Sequence, residues 1–295
     1  MGALRGTEVI DLRTLSTAVG GDMLPEDMLG LIDMGEEGLR RVRSLLATAD
    51  SQRVSNQSTQ YVRPLSEIQL LPPLNPPRAN VIAIGRNYLE HARESARVHG
   101  EEEAAPTVFT KAQTSVTGPN YDVPLHESIT QEVDWEVELG VVIGRRGVNI
   151  RHEEGLNYVF GYTVVNDLSA RDLQFSWGGQ FFKGKSLDGF CPIGPWIVTS
   201  DEVSDPQNLG LCLRVNGETK QDANTSDMIH PVDDLVAWLS VGMTLVPGNL
   251  IATGTPAGIG MARTPPEYLK AGDVVEAEVE SIGILRNRMV RSSER

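Results

Sequence analysis

Apolar and polar positions divide the chain into a short helical N-terminal region and a longer strand-rich body. Residues 8–12 (Glu-Val-Ile-Asp-Leu) read as a short strand. From residue 25 to about 49 the spacing turns helical. Leu29, Ile32, Leu39, Val42, Leu45 and Leu46 recur at intervals near 3.6, and Gly35 and Gly38 predict a break. Pro72-Pro73-Leu74-Asn75-Pro76-Pro77 interrupts both periods, because prolines this dense fit neither a helix nor a central strand. The expected organisation is a small N-terminal domain over 1–71, an extended Pro-rich linker over 72–78 and a main domain over 79–295.

Apolar runs predict strands in the body at 81–84, 136–143, 158–165, 211–215, 245–253 and 274–279. Asn216-Gly217 directly after 211–215 is a hairpin signal. Helical spacing is confined to 87–98 and 232–239, the second entered through Pro231 and ended near Gly242. Many short strands with few helices predict a sheet-based roll or barrel rather than a doubly wound fold.

Composition narrows the partners. The 295 residues carry a formal charge of −14, which disfavours non-specific contact with nucleic acid or an anionic membrane surface. No apolar run reaches spanning length, and acidic residues enter the N-terminal segment before a signal-peptide core could form. Two cysteines, Cys191 and Cys212, without a zinc-type spacing fit a reducing, cytoplasmic setting.

The candidate chemistry centres on Asp134-Trp135-Glu136-Val137-Glu138-Leu139. In a strand the three acids would share one face, with neighbours about 7 Å apart. At an effective dielectric near 20 each adjacent pair would repel by about 2 kcal/mol. A solvated acidic face tolerates that, and a divalent cation reverses it; the apolar Gly140-Val-Val-Ile-Gly144 that follows carries the strand into a core. Asp167, at the end of another strand-like run, supplies a third ligand, although an aspartate in Asn-Asp-Leu-Ser also suits a turn or a helix cap. Glu136, Glu138 and Asp167 would make an all-oxygen site for Mg²⁺ or Mn²⁺, with Ca²⁺ also accommodated.

Gly179-Gln-Phe-Phe-Lys-Gly184-Lys185-Ser186 matches the phosphate-loop pattern. The glycines and prolines of 187–195 rule out the helix that pattern requires, so nucleotide binding is rejected. Lys185 remains a candidate cation for a carboxylate or oxyanion, set against the surface lysine that this residue type usually is. His91 and Glu94 stand three apart in a helical segment, as a base and its orienting carboxylate would, and as many exposed helix pairs also do. In the glycine-rich run 252–260, Thr255 offers a hydroxyl. The histidines at 99, 126, 152 and 230 receive no role.

Taken together, Gly85-Arg-Asn-Tyr88 with His91, the Asp134–Leu139 run, Gly161-Tyr-Thr-Val-Val-Asn-Asp-Leu-Ser-Ala-Arg-Asp172, Gly184-Lys-Ser and Thr253-Gly-Thr-Pro-Ala-Gly258 resemble the fumarylacetoacetate hydrolase family, over roughly 79–290. Asn249 departs slightly from the more usual Pro-Gly-Asp. The resemblance implies an α+β, mainly β protein, with a mixed β-roll or distorted β-barrel catalytic domain, a small N-terminal domain and a homodimeric assembly. It implies Mg²⁺ or Mn²⁺ at Glu136, Glu138 and Asp167, substrate contacts at Arg171, Gln174 and Lys185, and a His91–Glu94 dyad. The substrate would be a small anionic 2-oxo or β-diketo acid. The first expectation is hydrolysis of a C–C bond in an acylpyruvate. The alternative is a lyase, decarboxylase or isomerase acting on a 2-oxo dicarboxylic acid such as oxaloacetate through the same enolate, and a third is a non-catalytic 2-oxo acid binder.

Overall fold

The computed structural model describes residues 1–21, 23–53, 60–99, 107–176 and 178–292. The chain forms two compact units, Met1–Leu70 and Leu71–Arg295.

In the first unit, strands Gly2–Arg5, Glu8–Asp11 and Val62–Pro64 form an antiparallel sheet with Glu8–Asp11 central. Asp11 ends its strand by accepting hydrogen bonds from the N–H groups of Arg13 and Thr14, which caps a helix, Leu12–Val19, that the sequence pattern did not predict. The predicted second helix runs over Met28–Arg53, and the expected break falls at Gly35, whose φ of 54° is unfavourable for other residues.

The Pro-rich segment groups with the second unit. Leu74 is fully buried, the Asn75–Pro76 bond is cis, and the Gln113 side chain donates to the Pro77 carbonyl.

The body of the second unit is two sheets. A seven-stranded mixed sheet has the order Thr107–Lys111, Val81–Gly85, Leu250–Ala252, Val137–Ile143, Val159–Asn166, Cys191–Thr199, Val116–Thr117. A five-stranded sheet has the order Glu218–Asn224, Gly210–Val215, Val274–Val279, Gly283–Val290, Asp122–Pro124. Gly210–Val215 and Val274–Val279 bury alternate residues, as strands with one face on a core must. Val137–Ile143 and Val159–Asn166 are buried at every position, so both faces of the larger sheet's centre are covered. Leu139, Val141 and Val164 from that sheet share a core with Leu211, Leu213, Ala277, Leu285 and Met289 from the other. The architecture is α+β, mainly β.

Several predicted elements change length. The hairpin forms as read, with Asn216 and Gly217 at φ of 52° and 81°. The helix predicted over 87–98 is Leu89–His99, and Val232–Leu239 follows Pro231. Of 245–253, only Leu250–Ala252 is strand. A turn closes at Asn249, whose N–H donates to the Val246 carbonyl while its side chain accepts from the Val246 N–H. The acidic run is also split. Val133–Asp134 pairs with Ser169–Ala170, and the long strand begins only at Val137. The phosphate-loop lookalike makes a single turn, Phe182–Lys185, and no helix follows it. No helix among the described residues is long and apolar enough to cross a membrane.

Candidate active site

Two central strands deliver the carboxylates. Glu138 lies one residue into Val137–Ile143, Glu136 just before it, and Asp167 just after Val159–Asn166. The antiparallel pairing sets Asn166 opposite Val137, and the ladder continues past the strand ends. The Asp167 N–H donates to the Glu136 carbonyl at 2.9 Å, and the Glu136 N–H to the Asn166 side chain at 3.1 Å. Oxygens of Glu136, Glu138 and Asp167 thereby come within 4.8 Å of one another, and all three side chains are buried.

Asp134 does not join them. The break before Val137 turns it away, and its oxygens accept from the N–H groups of Trp135, Gly260 and Met261 and from Arg171. The expected single face of three acids is thus corrected to Glu136 and Glu138 alone, with Asp134 anchoring the 258–261 loop.

Cations thread between these acids. Lys185 Nζ donates to Glu136 at 2.7 Å and to Asp167 at 2.8 Å. Arg171 bridges Asp134 at 2.8 Å and Glu136 at 2.6 Å, and donates to the Gln174 oxygen at 2.9 Å. Lys111, fully buried, binds the other oxygen of Asp167 and the Leu168 carbonyl. Among the described residues, four buried carboxylates therefore face three cations, leaving one negative charge in excess.

That excess sits on Glu138. Among the described residues its hydrogen-bond partner is the Gly254 N–H at 2.8 Å, and no cation pairs with it. Burial first, and then repulsion from Asp167 and Glu136, raises its carboxyl well above the ordinary range. Burial alone would also raise Glu136, but the charges of Lys185 and Arg171 bring it down to about 2. A buried carboxylate that neighbours push toward protonation is where a divalent cation would bind. Each carboxylate oxygen keeps lone-pair capacity beyond its present bond. The donor set thus fits a hard divalent ion such as Mg²⁺ or Mn²⁺, with Glu136, Glu138 and Asp167 holding it.

The remaining predicted residues other than Glu94 meet at one cavity. His91, Arg171, Gln174, Lys185 and Thr255 line it with Glu136 and Glu138. His91 Nδ1 lies 3.5 Å from Glu94, whose carboxylate also receives the Gly258 N–H at 3.2 Å and is thereby tied to the loop after Leu250–Ala252. Gly254 adopts φ of 99°, and a Cβ there would lie 2.8 Å from Asn87 Cβ, so only glycine brings this N–H to Glu138 unstrained. Thr255 is less free than its sequence position suggests, because its hydroxyl donates to the Val137 carbonyl at 3.0 Å. It has no proton left for a substrate carboxylate.

Sequence reasoning missed Lys111 and the aromatic wall of Phe109, Phe175 and Phe181, with Lys185 Nζ 5.2 Å from the Phe109 ring centre. A lysine ending the run Thr107-Val-Phe-Thr-Lys111 was the one faint signal for the former.

Fold and site together define a mainly β protein built around a buried three-carboxylate pocket. Residues 80–290 match the model for the C-terminal domain of fumarylacetoacetate (FAA) hydrolase. The chain belongs to that family. It is 42% identical over 286 residues to the mitochondrial oxaloacetate tautomerase FAHD2A of Bos taurus, covering 97% of this chain and 85% of the relative. It is 40% identical over 268 residues to the oxaloacetate tautomerase YisK of Bacillus subtilis, covering 91% and 88%. Among solved structures, the fumarylacetoacetate hydrolase EaFAH of Exiguobacterium antarcticum superposes with a TM-score of 0.79 at 36% identity, covering 98% of this chain and 94% of that one.

Proposed function

We propose that this protein is a divalent-metal-dependent isomerase that interconverts the keto and enol forms of oxaloacetate or a closely similar 2-oxo dicarboxylic acid. The observation that carries the reading is His91 on the wall of the cavity that Glu136, Glu138 and Lys185 also line: a candidate proton carrier beside a cation-demanding carboxylate cluster. The tautomerase names of relatives at 40–42% identity favour this isomerase over the C–C hydrolase expected first.

Tautomerisation moves one proton. It leaves C3, the C2 carbonyl becomes a hydroxyl, and no water is consumed. A bound Mg²⁺ or Mn²⁺ would supply Lewis acidity toward the 2-oxo acid and lower the cost of enolate charge. His91 takes the proton from C3 and delivers it to the C2 oxygen in one direction and reverses both transfers in the other, with Glu94 holding the ring in orientation. Lys185 and Arg171 offset the substrate's carboxylates, and Gln174, a cavity-lining residue whose oxygen is engaged by Arg171, keeps its amide N–H groups as donors for the substrate. A −14 protein draws in a dianion only through such local positive charge. We assign it to the cytoplasm, on the two free cysteines, and to a homodimer, on its family.

The test is decay of the enol ultraviolet band of oxaloacetate with Mg²⁺ or Mn²⁺, run alongside product analysis. Accelerated decay without release of pyruvate or carbon dioxide is expected. Label from ¹⁸O-water appearing in a newly released carboxylate would return the reading to hydrolysis. His91→Ala is expected to slow the enol decay by about 10²–10⁴-fold while leaving metal affinity within about threefold. An unchanged rate would assign the proton to another group.

A further inference from the structure

Behind the cavity wall lies a hydrogen-bonded strut that the roles above leave unused. Gln221, on Glu218–Asn224, is 1% exposed. The Val137 N–H donates to its Oε1 at 2.9 Å, and because a backbone N–H can only donate, this contact fixes which end of the amide is oxygen. Nε2 therefore donates to Thr255 Oγ1 at 2.8 Å and to the Pro256 carbonyl at 2.9 Å. Having accepted that bond, Thr255 gives its own proton to the Val137 carbonyl. A hydroxyl has one proton and two lone pairs, so what Thr255 retains is a single lone pair.

We propose that Gln221 is a positioning residue that, together with the Val137 carbonyl that takes the hydroxyl proton, holds Thr255 as an acceptor only, so that the cavity favours a ligand with a hydroxyl beside its carboxylate over the same ligand with an oxo group. For a 2-oxo acid, that is a preference for the enol tautomer. The proposal deepens the isomerase reading and takes the identity of the ligand from it. The surroundings sharpen the preference. Lys185 and Arg171 can only donate, and they serve the oxygens of either tautomer equally. Thr255, on the cavity wall, offers its remaining lone pair to the one proton that the two forms place differently. The strut also ties Thr255 to the first residue of the strand that carries Glu138, so its direction is set by the same backbone that sets the carboxylate.

The experiment is calorimetric titration of the Mg²⁺-loaded protein with lactate and with pyruvate, a pair differing by hydroxyl against oxo at C2. The readout is the lactate-to-pyruvate affinity ratio, in which any uniform change cancels. We expect the ratio to fall about fivefold in Gln221→Met and in Thr255→Val, the usual worth of one buried hydrogen bond, and to be kept in Thr255→Ser. Circular dichroism and melting establish folding. Should Gln221→Met fail to fold, having left the Val137 N–H without its acceptor, Thr255→Val alone decides. An unchanged ratio in folded Thr255→Val overturns the proposal. A ratio that rises overturns it too, since that would make Thr255 a donor to the oxo group. The titration needs no turnover, so the two readings fail separately. A falling ratio in a protein inert toward oxaloacetate removes the isomerase and leaves the acceptor; active tautomerisation with an unchanged ratio does the reverse.

Discussion

Replacing Glu138 by glutamine should stabilise the metal-free protein while abolishing its response to metal. Glu138 lies within 4.8 Å of both Glu136 and Asp167, and no cation among the described residues pairs with it. At an effective dielectric near 20, two unit charges at that distance repel by about 3 kcal/mol. Lys185 offsets part of this, and Glu138 escapes part of it by taking up a proton, so what remains at neutral pH is a fraction of that figure. Glutamine keeps the shape and the oxygen that accepts from Gly254, and it removes the charge.

In EDTA, Glu138→Gln should therefore melt several degrees above the parent, at roughly 2–4 °C per kcal/mol for a unit of this size. With saturating Mg²⁺ the order should invert, because only the parent gains binding energy. The pH dependence has a defined sign. A carboxyl raised in the folded state favours folding below its unfolded value and loses that contribution as pH climbs through the folded value. The metal-free parent should lose stability upward from about pH 4.5, the ordinary glutamate value, and the variant should lack that slope. Scanning calorimetry from pH 5 to 8, with and without Mg²⁺, measures all three effects. A metal-free variant that melts below the parent, or one that Mg²⁺ still stabilises fully, would refute the reasoning.

Other perturbations test the supports. Gly254→Ala should push the loop off Asn87 and take its N–H from Glu138, costing about 1–3 kcal/mol in denaturant unfolding together with weaker metal binding; wild-type stability would mean the loop yields freely. Arg171→Lys keeps the charge but cannot span Asp134, Glu136 and Gln174 at once, and should destabilise by about 3–5 kcal/mol, with a change under 1 kcal/mol showing that the fork is dispensable. Burial pushes the Cys191 thiol up to about 12, so at pH 8 a thiol reagent should leave Cys191 unmodified in the native protein and reach both cysteines after unfolding; rapid native labelling at Cys191, read by peptide mass, would contradict its burial.

Local chemistry decided much of the fold by itself. Asn216-Gly217 turned its hairpin, Pro231 opened its helix, and Gly35 broke its helix, because each follows from backbone sterics that act within a few residues. The three carboxylates were legible for a related reason: acids entering an apolar strand imply a charge that something must balance. Tertiary structure alone decided how it is balanced. That Asp134 turns from Glu136 to hold Gly260 and Met261, that Lys111 reaches Asp167 across 56 residues, and that Gln221 reaches Thr255 across 34 are consequences of strand order and register. Which buried polar groups find each other depends on contacts distant in sequence, and no periodicity along the chain encodes them.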